Sequence, residues 1–370
     1  MTNGIYVHFP FCRKKCDYCA FYSVPIDSAV HYEAQYTAAL KKEITGRYQA
    51  PRKDADSIYF GGGTPSLFHA EKLSEVLETI SKTFNVLPQA EISIELNPAD
   101  ISAEKLNGLK QAGFNRFVLG VQTLDPALHA LIGRTGEPCG KKHLDEFFSC
   151  SAVTHCLDLI IGIPGQNDLE TELEIIASYG AKHISAYLLS IEEKTPLEAK
   201  IQCDEAFENM QRSAFINTKR ILESFGYRHY EISNYALSEY ESLHNKKYWT
   251  FQPYISFGSG AHSFYDGRRY INKAPLEKYM ADPFANFDED KRGAFSAMTE
   301  FVMTGLRMID GFSTLDFTNQ FGELPQELSR RIDEEIKKGM LVFQNGRVSF
   351  SEKGLLFADR VIFDMVQDLL

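Results

Sequence analysis

The sequence predicts an α/β fold, with a partial six-stranded (β/α)6 barrel followed by a small winged-helix-like C-terminal domain. Two patterns predict it. Short β-branched or aromatic runs alternate with amphipathic helical segments over the first part of the chain, and two helical segments precede a hairpin signal near its end. Repeated strand–helix units form parallel sheets with right-handed crossovers, so a partial barrel and a doubly wound sheet are the candidate architectures.

Six short runs have the composition of buried strands. They are Gly4–Phe9, Ser57–Phe60, Ile92–Leu96, Arg116–Val121, Leu157–Ile161 and His183–Leu189. After the fourth run, Asp125-Pro126 combines an N-cap residue with a proline suited to the first helical position. Unusual polar residues follow several of these runs, and the chemistry of βα barrels collects at the carboxyl ends of the strands. This placement favours the barrel over the doubly wound sheet.

The pattern divides the chain into three segments. Residues 1–236 carry the strand–helix units and end with a long helix predicted from about Asp204 to Phe225. Residues 237–292 are rich in Tyr, Phe, Gly and His and are predicted to be irregular. Residues 293–370 are predicted to form a small separate domain.

The small domain has its own order of elements. Helices are predicted around Ala297–Met308 and Pro325–Lys338, followed by short strands at Leu341–Phe343 and Arg347–Phe350. Asn345-Gly346 between these strands is a strong signal for a tight hairpin turn. Helices followed by a hairpin are typical of a winged-helix-like domain. Packing against the barrel is a sufficient role for such a domain, and we infer no DNA binding from it.

The composition limits the class of function and the location. The 370 residues carry a net charge of −11, which excludes bulk attraction to nucleic acid or anionic lipid and leaves open a peripheral membrane contact through a local patch. No apolar run is long enough to span a bilayer, and the N-terminus lacks the pattern of a secretory signal. We therefore expect a cytoplasmic protein. Seven cysteines are too few for a disulfide scaffold.

Three of the cysteines form a C-x3-C-x2-C motif, Cys12, Cys16 and Cys19, directly after the first predicted strand. Three thiolates on one loop can bind three irons of a cubane [4Fe–4S] cluster, and the fourth iron then stays open to a chelating cofactor. The alternative is a zinc site completed by His8, because zinc usually takes four ligands. Gly61-Gly62-Gly63-Thr64-Pro65 after the second strand favours the cluster, because glycines allow close approach of the backbone to a ligand.

With these motifs the chain resembles the radical S-adenosylmethionine superfamily and, within it, the oxygen-independent coproporphyrinogen III oxidase group. The resemblance covers nearly the whole chain and implies a [4Fe–4S] cluster on the three cysteines that binds S-adenosylmethionine. It also implies a set of residues around that cofactor. They are Tyr6, Gly62, Gly63, Thr64, Glu95, Gln122, Arg134 and Asp158. Among them, Asp158 within an apolar strand needs a partner, because a buried carboxylate is costly.

The group contains an oxidase, which decarboxylates propionates, and a family of heme chaperones. Three features resemble the chaperones. Phe21 stands where the oxidase has a further cysteine, and the cysteine loop starts only eleven residues from Met1, which leaves no room for the oxidase's N-terminal extension. The third feature is His244-Asn245-Lys246-Lys247-Tyr248-Trp249, which resembles the H-N-x-x-Y-W motif associated with heme.

The resemblance implies that the chain binds heme and delivers it to heme-requiring proteins, respiratory enzymes among them. A neutral imidazole is a standard axial ligand of heme iron, so His244 is the first candidate ligand and His262 is the second. An oxidase-like enzyme of porphyrin metabolism and a heme-degrading enzyme are the alternatives. Cleavage of S-adenosylmethionine stays open, and the resemblance allows a homodimer.

Overall fold

The computed structural model of the chain describes residues 2–48, 52–273, 275–285, 287–290 and 294–366. The first part contains β1 (Asn3–Phe9), β2 (Phe11–Cys12), β3 (Val24–Pro25), α1 (Val30–Arg47), β4 (Asp54–Gly62), α2 (Ala70–Thr83), β5 (Asn85–Leu96), α3 (Ala103–Ala112), β6 (Arg116–Gln122), α4 (Pro126–Leu131), α5 (Lys141–Ser149), β7 (Thr154–Ile161), α6 (Leu169–Ser178) and β8 (His183–Leu188). The middle part contains α7 (Glu205–Ser224), β9 (Arg228–Glu231), β10 (Asn234–Ala236), α8 (Leu243–Trp249), β11 (Tyr254–Phe257), β12 (His262–Tyr265), β13 (Arg268–Asn272), α9 (Leu276–Ala281) and β14 (Phe287–Asp290). The last part contains α10 (Ala294–Gly305), β15 (Phe312–Ser313), α11 (Thr314–Phe321), α12 (Gln326–Lys337), β16 (Leu341–Gln344), β17 (Arg347–Phe350), α13 (Glu352–Leu355) and α14 (Ala358–Val366).

The main sheet contains the six predicted parallel strands. β1, β4, β5, β6, β7 and β8 lie side by side in chain order, and every neighbouring pair is parallel. Their carboxyl ends therefore meet at one edge, and the loops that follow them meet there too. The α/β class is confirmed. The sheet continues through antiparallel β10 and β9 beyond β8 and through β11 beside β1, and in the described part of the chain it is an open array of twelve strands.

Local sequence signals explain several element boundaries. Asp125 caps α4 by accepting hydrogen bonds from the backbone N–H groups of Ala127 and Leu128, and Pro126 takes the first helical position as predicted. α7 begins directly after its N-cap Asp204 and ends one residue before Phe225, close to the predicted bounds. α10 ends at Gly305, three residues before the predicted end, because the backbone of Met308 leaves the helix to pair with Glu231.

The expectation that residues 237–292 are irregular is wrong. The segment contains α8, α9 and four strands, and β11 adds to the main sheet parallel to β1 while β12, β13 and β14 extend it as an antiparallel meander. These strands have only four or five residues each. Strands this short are separated by turns and show too few repeats for a period of two to stand out in the sequence.

Two apolar clusters hold most of the buried side chains. The larger packs the helices on the main sheet and includes Phe9, Phe60 and Tyr36. The second joins side chains of the middle segment, such as Phe251 and Phe264, to those of α10–α14. The middle segment therefore shares its core with the C-terminal helices. The division at residues 236/237 stays a prediction, and the predicted boundary at 292/293 lies outside the described residues.

The C-terminal elements follow the predicted order. α11 and α12 precede the hairpin of β16 and β17, whose turn contains Asn345 at a φ of 52° and Gly346 at 71°. β15 pairs with β17 to complete a three-stranded sheet. Among the described helices, none combines the length and the apolar composition needed to cross a membrane.

Candidate functional site

The cysteine loop leaves the carboxyl end of β1 at the edge where the parallel strands end. Cys12 ends β2, which pairs with β3, and the backbone N–H of Cys19 donates to the carbonyl of Cys16 over 3.2 Å. All three cysteines are free thiols and are partly exposed. The Thr64 hydroxyl lies 3.7 Å from the Cys12 sulfur and donates to it. The loop and the glycine stretch thus meet, as the sequence predicted.

The His8 ring is engaged on both sides. Its Nδ1 lies 3.0 Å from the Tyr6 hydroxyl, and its Nε2 lies 2.9 Å from the carbonyl oxygen of Tyr22. Burial lowers the pKa of His8 to about 4. His8 therefore supports the site from within the sheet and does not complete a zinc site. Within the described residues, no group of three or more His, Cys, Asp or Glu side chains is arranged to hold one metal ion.

The pKa values of the three cysteine thiols depend on burial, on Arg134 and on the neighbouring cysteines. Burial is the main cause that raises the pKa of Cys12, Cys16 and Cys19 above the ordinary thiol value. The Arg134 guanidinium acts in the opposite sense on Cys12 and Cys16, because a nearby positive charge favours the thiolate. The sulfurs also raise one another's pKa, which shows that charges placed on them would interact. The arrangement suits thiolates that share a positively charged centre.

The glycine stretch runs close beside the strand that leads to Cys12. The Gly63 N–H donates to the carbonyl of Phe9 over 2.8 Å, and a Cβ at Gly63 would lie 2.6 Å from the carbonyl oxygen of Phe11. Gly62 has a φ of +108°, and a Cβ there would lie 2.3 Å from His8 Nδ1. Only glycine permits this approach. The glycine stretch is therefore packed closely against the segment that leads to the cysteine loop.

Two carboxylates, one on β5 and one on β7, lie close enough to each other to interact. Glu95 accepts from the Tyr59 hydroxyl at 2.9 Å and from the Gly62 N–H at 3.2 Å. Burial, followed by repulsion from Asp158, raises the pKa of Glu95 to about 7. Burial also raises the pKa of Asp158 to about 6, and a hydrogen bond with Ser185 opposes this. Asp158 Oδ1 is buried and has no hydrogen-bond partner among the described residues. A cationic ligand would stabilise both ionised forms.

The other predicted cofactor residues lie at the same edge. Gln122 ends β6 at a bulge with a φ of 66°, a left-handed conformation that is strained for a non-glycine residue. The Arg134 guanidinium donates to the carbonyl of Gly120 over 3.2 Å and so reaches back across that bulge. Residues with a strained backbone conformation are common at ligand sites, where the surrounding structure holds them in place. Gln122 and Arg134 are thus brought to the rim that carries the cysteines.

Tyr59 and Ser185 also support this site, although neither was predicted from the sequence. Tyr59 donates to Glu95, and its ring stacks 6.2 Å from that of Tyr6. Ser185 holds Asp158 from the neighbouring strand β8, where the two residues are register partners. The sequence contained a signal for both Tyr59 and Ser185, because alternate side chains of a strand lie on the same face of the sheet. Tyr59 lies two residues before Gly61, on the inward face.

His244, the first candidate for heme, lies at the opposite end of the strands. Its Nδ1 is 3.0 Å from the Ser57 hydroxyl, and its Nε2 is 2.8 Å from the Tyr248 hydroxyl. The side chain is 1% exposed, and its ring stacks 5.3 Å from that of Tyr59. Burial lowers the pKa of His244 to about 3, so the ring is neutral. Both ring nitrogens of His244 thus lie within hydrogen-bond distance of protein hydroxyl groups.

The helix that carries His244 closes the amino-terminal end of the sheet. Glu91 accepts from the backbone N–H groups of Leu243 and His244 over 3.2 Å each and lies 3.4 Å from the Arg116 guanidinium. Arg116 is the first residue of β6 and also donates to the carbonyl of Tyr240. α8 therefore closes this end of the sheet and is held there by the charged side chains of Glu91 and Arg116. We call this helix, Leu243–Trp249, the plug. The H-N-x-x-Y-W motif belongs to this plug.

His262, the second candidate, lies at the rim. β11 runs parallel to β1, so the turn after Phe257 lies at the same edge as the cysteine loop, and His262 begins the next strand from there. His262 is exposed and close enough to His8 to lower its pKa. In the same turn Gly260 packs on Tyr22, where a Cβ would lie 2.6 Å from the ring. The structure thus places His262, and not His244, near the cysteines.

Comparisons with known proteins decide the family. The chain matches the model of the radical SAM superfamily over residues 6–177 and that of the HemN C-terminal domain over residues 296–357. A heme chaperone HemW from Synechocystis sp. is 35% identical over 333 residues, which cover 84% of this chain and 79% of that protein. The chain belongs to the HemW family. A HemW from Bacillus subtilis is 30% identical over 384 residues and covers 97% of this chain and 98% of that protein.

The fold agrees with this membership. Coproporphyrinogen III oxidase (HemN) from Escherichia coli, a radical SAM enzyme, is similar with a TM-score of 0.82 at 20% identity and covers 98% of this chain and 90% of its own. At that identity the likeness shows the shared fold alone. Membership of the HemW family, within the radical SAM superfamily, implies a [4Fe–4S] cluster and S-adenosylmethionine as its cofactors.

Proposed function

We propose that this chain is a cytoplasmic heme chaperone, which binds heme and delivers it to heme-requiring proteins while a [4Fe–4S] cluster and S-adenosylmethionine occupy the rim of the barrel. The observation that carries the proposal is the relationship to proteins named heme chaperone HemW over nearly the whole chain, 97% of it in the Bacillus subtilis relative. A relationship of this extent includes both the cluster rim and the helix with the H-N-x-x-Y-W motif.

Cys12, Cys16 and Cys19 hold the cluster in this proposal. The fit is supported by their common loop, by the Thr64 hydroxyl that donates to the Cys12 sulfur and by Arg134, whose positive charge favours the thiolates of Cys12 and Cys16. When bound, the cluster supplies one-electron chemistry next to the open iron. The residues of this chain hold it at the one edge where all the parallel strands end.

S-adenosylmethionine is held by Tyr6, Gly62, Gly63, Thr64, Glu95, Gln122, Arg134 and Asp158 in the proposal. Three observations support the fit. Gly62 and Gly63 lie in the stretch that contacts the cysteine segment and carry no side chain, Asp158 leaves a buried carboxylate oxygen unpaired among the described residues, and a positive partner would oppose the effect of burial on the pKa of Glu95. The sulfonium and amino groups of S-adenosylmethionine supply positive charge.

We assign the heme ligand to His262 in place of His244. His262 is exposed at the cluster rim, where a large flat ligand can approach it, whereas His244 is buried. A heme at His244 would require α8 to leave the end of the sheet and would expose the charged residues Glu91 and Arg116. The cost of breaking that buried network argues against the motif helix as a direct heme ligand.

The enzymatic alternatives are less favoured. This chain shares 30–35% identity with the chaperones named above and 20% with the coproporphyrinogen III oxidase. Phe21 also replaces the further cysteine that the oxidase carries after its motif. The side chain of Phe21 is 70% exposed, so a cysteine there would have been accessible to ligands, and the phenyl ring is not required for packing.

Transfer of heme tests the proposal. Cluster-reconstituted protein is loaded anaerobically with about one equivalent of heme, separated from free heme and mixed with an apo-form of a heme-requiring enzyme. We expect the acceptor's spectrum and activity to appear at a rate that increases with acceptor concentration, because transfer occurs in a complex. A rate independent of acceptor concentration would mean simple release into solution and would contradict delivery.

A second arm of the same experiment addresses the alternatives. The protein is incubated with S-adenosylmethionine, a reductant and either coproporphyrinogen III or heme, and the tetrapyrrole products are separated. We expect the heme to be recovered intact and the coproporphyrinogen to remain unchanged. Decarboxylated porphyrin would establish the oxidase, and an opened ring would establish the heme-degrading enzyme.

A further inference from the structure

Asp17, between the second and third cysteines, ties the cluster loop to two other loops of the rim. Its backbone N–H donates to the carbonyl of Ile132 over 3.1 Å, and its carbonyl accepts from the N–H of Leu197 over 3.0 Å. Its carboxylate Oδ2 lies 2.6 Å from the Lys200 ammonium. Ile132 follows α4, and Leu197 and Lys200 lie in the long loop between β8 and α7. One residue thus links three separate parts of the edge.

The surroundings are shaped around the Asp17 side chain. A Cβ at Gly133, which has a φ of +73°, would lie 2.1 Å from the Asp17 Cγ, so only glycine can stand there. The next residue in the loop, Tyr18, packs against the apolar cluster that contains Ile132 and Leu197. The cysteine loop is therefore held in place by contacts of Asp17 and Tyr18, the two residues between Cys16 and Cys19. The Asp17 side chain is 12% exposed and that of Lys200 is 42% exposed, so the pair is partly shielded from solvent.

We propose that Asp17 is a positioning residue for the iron–sulfur cluster, which it serves by holding Cys16 and Cys19 against the β8–α7 loop through its ion pair with Lys200. The cysteines of a mobile loop would release iron readily, because each thiolate would move independently of the others. Since Asp17 adjoins Cys16, its negative charge also adds to the field at the cluster. The inference rests on the proposed cluster site and is independent of heme binding.

The rate of iron loss tests it. Asp17→Asn and Lys200→Met, separately and together, are reconstituted anaerobically, and iron transfer to a chelator is followed by the decay of the brown absorbance. We expect each single variant to lose iron roughly fivefold faster than the wild type, as befits one partly shielded ion pair. The double variant should lose it no faster than either single variant, because only one interaction is removed. Lys194→Met, which removes an exposed charge from the same loop, should match the wild type.

The cluster's midpoint potential separates positioning from general loosening of the fold. Removal of the Asp17 charge should raise the potential, because an anion near the cluster disfavours the added electron. Removal of the Lys200 charge should lower it. A merely structural weakening would move the potential in the same direction in both variants. Shifts of the same sign, or iron loss at the wild-type rate in both, would overturn the proposal.

A pair of glycine variants tests the same contact from the other side. Gly133 and Gly136 both have positive φ, 73° and 91°, and so suffer similar backbone strain on substitution by alanine. A Cβ at Gly136 has 3.9 Å of clearance, whereas one at Gly133 collides with Asp17. Gly133→Ala should accelerate iron loss, and Gly136→Ala should not. Equal rates of iron loss in the two variants would contradict the role of Asp17. Such a result would not bear on the proposed binding of heme.

Discussion

The two ends of the parallel sheet use similar residues in opposite ways. At the carboxyl end, Glu95 and Asp158 are partly buried carboxylates with raised pKa values, and Asp158 leaves one oxygen unpaired among the described residues. At the amino-terminal end, Glu91 is engaged by Arg116 and by two backbone N–H groups of α8, and His244 uses both ring nitrogens. At the carboxyl end the carboxylates would be stabilised by a cationic ligand. At the amino-terminal end the charge of Glu91 is already balanced by groups of the chain itself.

We propose that the H-N-x-x-Y-W motif has a structural role in this chain. The H-N-x-x-Y-W motif lies in a helix that closes the sheet, and its histidine stacks beneath the ring of Tyr59, which in turn holds Glu95. The motif thus supports the cofactor site through one intervening side chain.

The largest effect is expected from the cysteines. Cys12→Ser, Cys16→Ser and Cys19→Ser should each remove nearly all of the cluster absorbance, since a thiolate that binds one iron has no substitute in a hydroxyl. Cys203→Ser is the control, because Cys203 is the exposed cysteine elsewhere in the chain. Iron and acid-labile sulfide are measured beside circular dichroism. Full cluster content in all three variants would contradict the assignment of the loop.

The next effect concerns stability at the closed end. His244→Ala should lower the free energy of unfolding by about 2–4 kcal/mol, because it opens a cavity and leaves the Ser57 and Tyr248 hydroxyls without a partner. His262→Ala should change it by less than about 0.5 kcal/mol, since that side chain is exposed. Denaturant unfolding of both variants measures the contrast. A stable His244→Ala protein would mean that the plug contributes little.

A smaller effect concerns pH at the open end. Glu95, with a pKa of about 7, is mostly neutral at pH 6 and mostly ionised at pH 7.5, and a cationic ligand prefers the ionised form. The affinity for S-adenosylmethionine should therefore rise roughly fivefold to tenfold over that interval. Glu95→Gln should bind more weakly and with a flatter pH profile. Calorimetric titration at several pH values checks this, and an affinity that falls with rising pH in the wild type would contradict it.

The smallest effect is expected at the start of the plug helix. Ser242 is buried and caps α8 by accepting from the Asn245 N–H over 3.2 Å. Ser242→Ala should cost about 1 kcal/mol of stability, the usual worth of an N-cap. Ser102→Ala, which removes a similar cap from α3, is the matched control for the cap alone. A loss of S-adenosylmethionine affinity in the first variant and not in the second would sharpen the link between plug and cofactor site.

The sequence predicted most of the open end. The strands that lead to it are long, and their carboxyl ends are marked by unusual residues, such as the cysteines after β1 and the glycines at the end of β4. Parallel topology then brings those ends together without further information. The α/β class was predicted and is confirmed, and the strands of the six predicted units are parallel and lie side by side in chain order. The role of each named cofactor residue stays a prediction until ligand binding is measured.

The closed end could not be predicted in the same way. The Ser57 hydroxyl that pairs with His244 is 187 residues away in the chain, and nothing in either segment alone indicates the contact. The strands of the middle segment are too short for their period to stand out, so the turn that carries His262 could not be placed beside the cysteine loop. Both facts depend on the position of β11 next to β1, which is a tertiary outcome.

An anaerobic heme titration of cluster-reconstituted protein, with the wild type beside His262→Ala and His244→Ala, tests the central claim most directly. The Soret band reports binding, and denaturant unfolding of the same samples shows that each variant is folded. We expect saturation near one heme per chain in the wild type, at least about tenfold weaker binding in His262→Ala, and wild-type affinity in folded His244→Ala. Weakened binding in His244→Ala with unchanged binding in His262→Ala would contradict the account and place heme at the end of the sheet that we describe as closed.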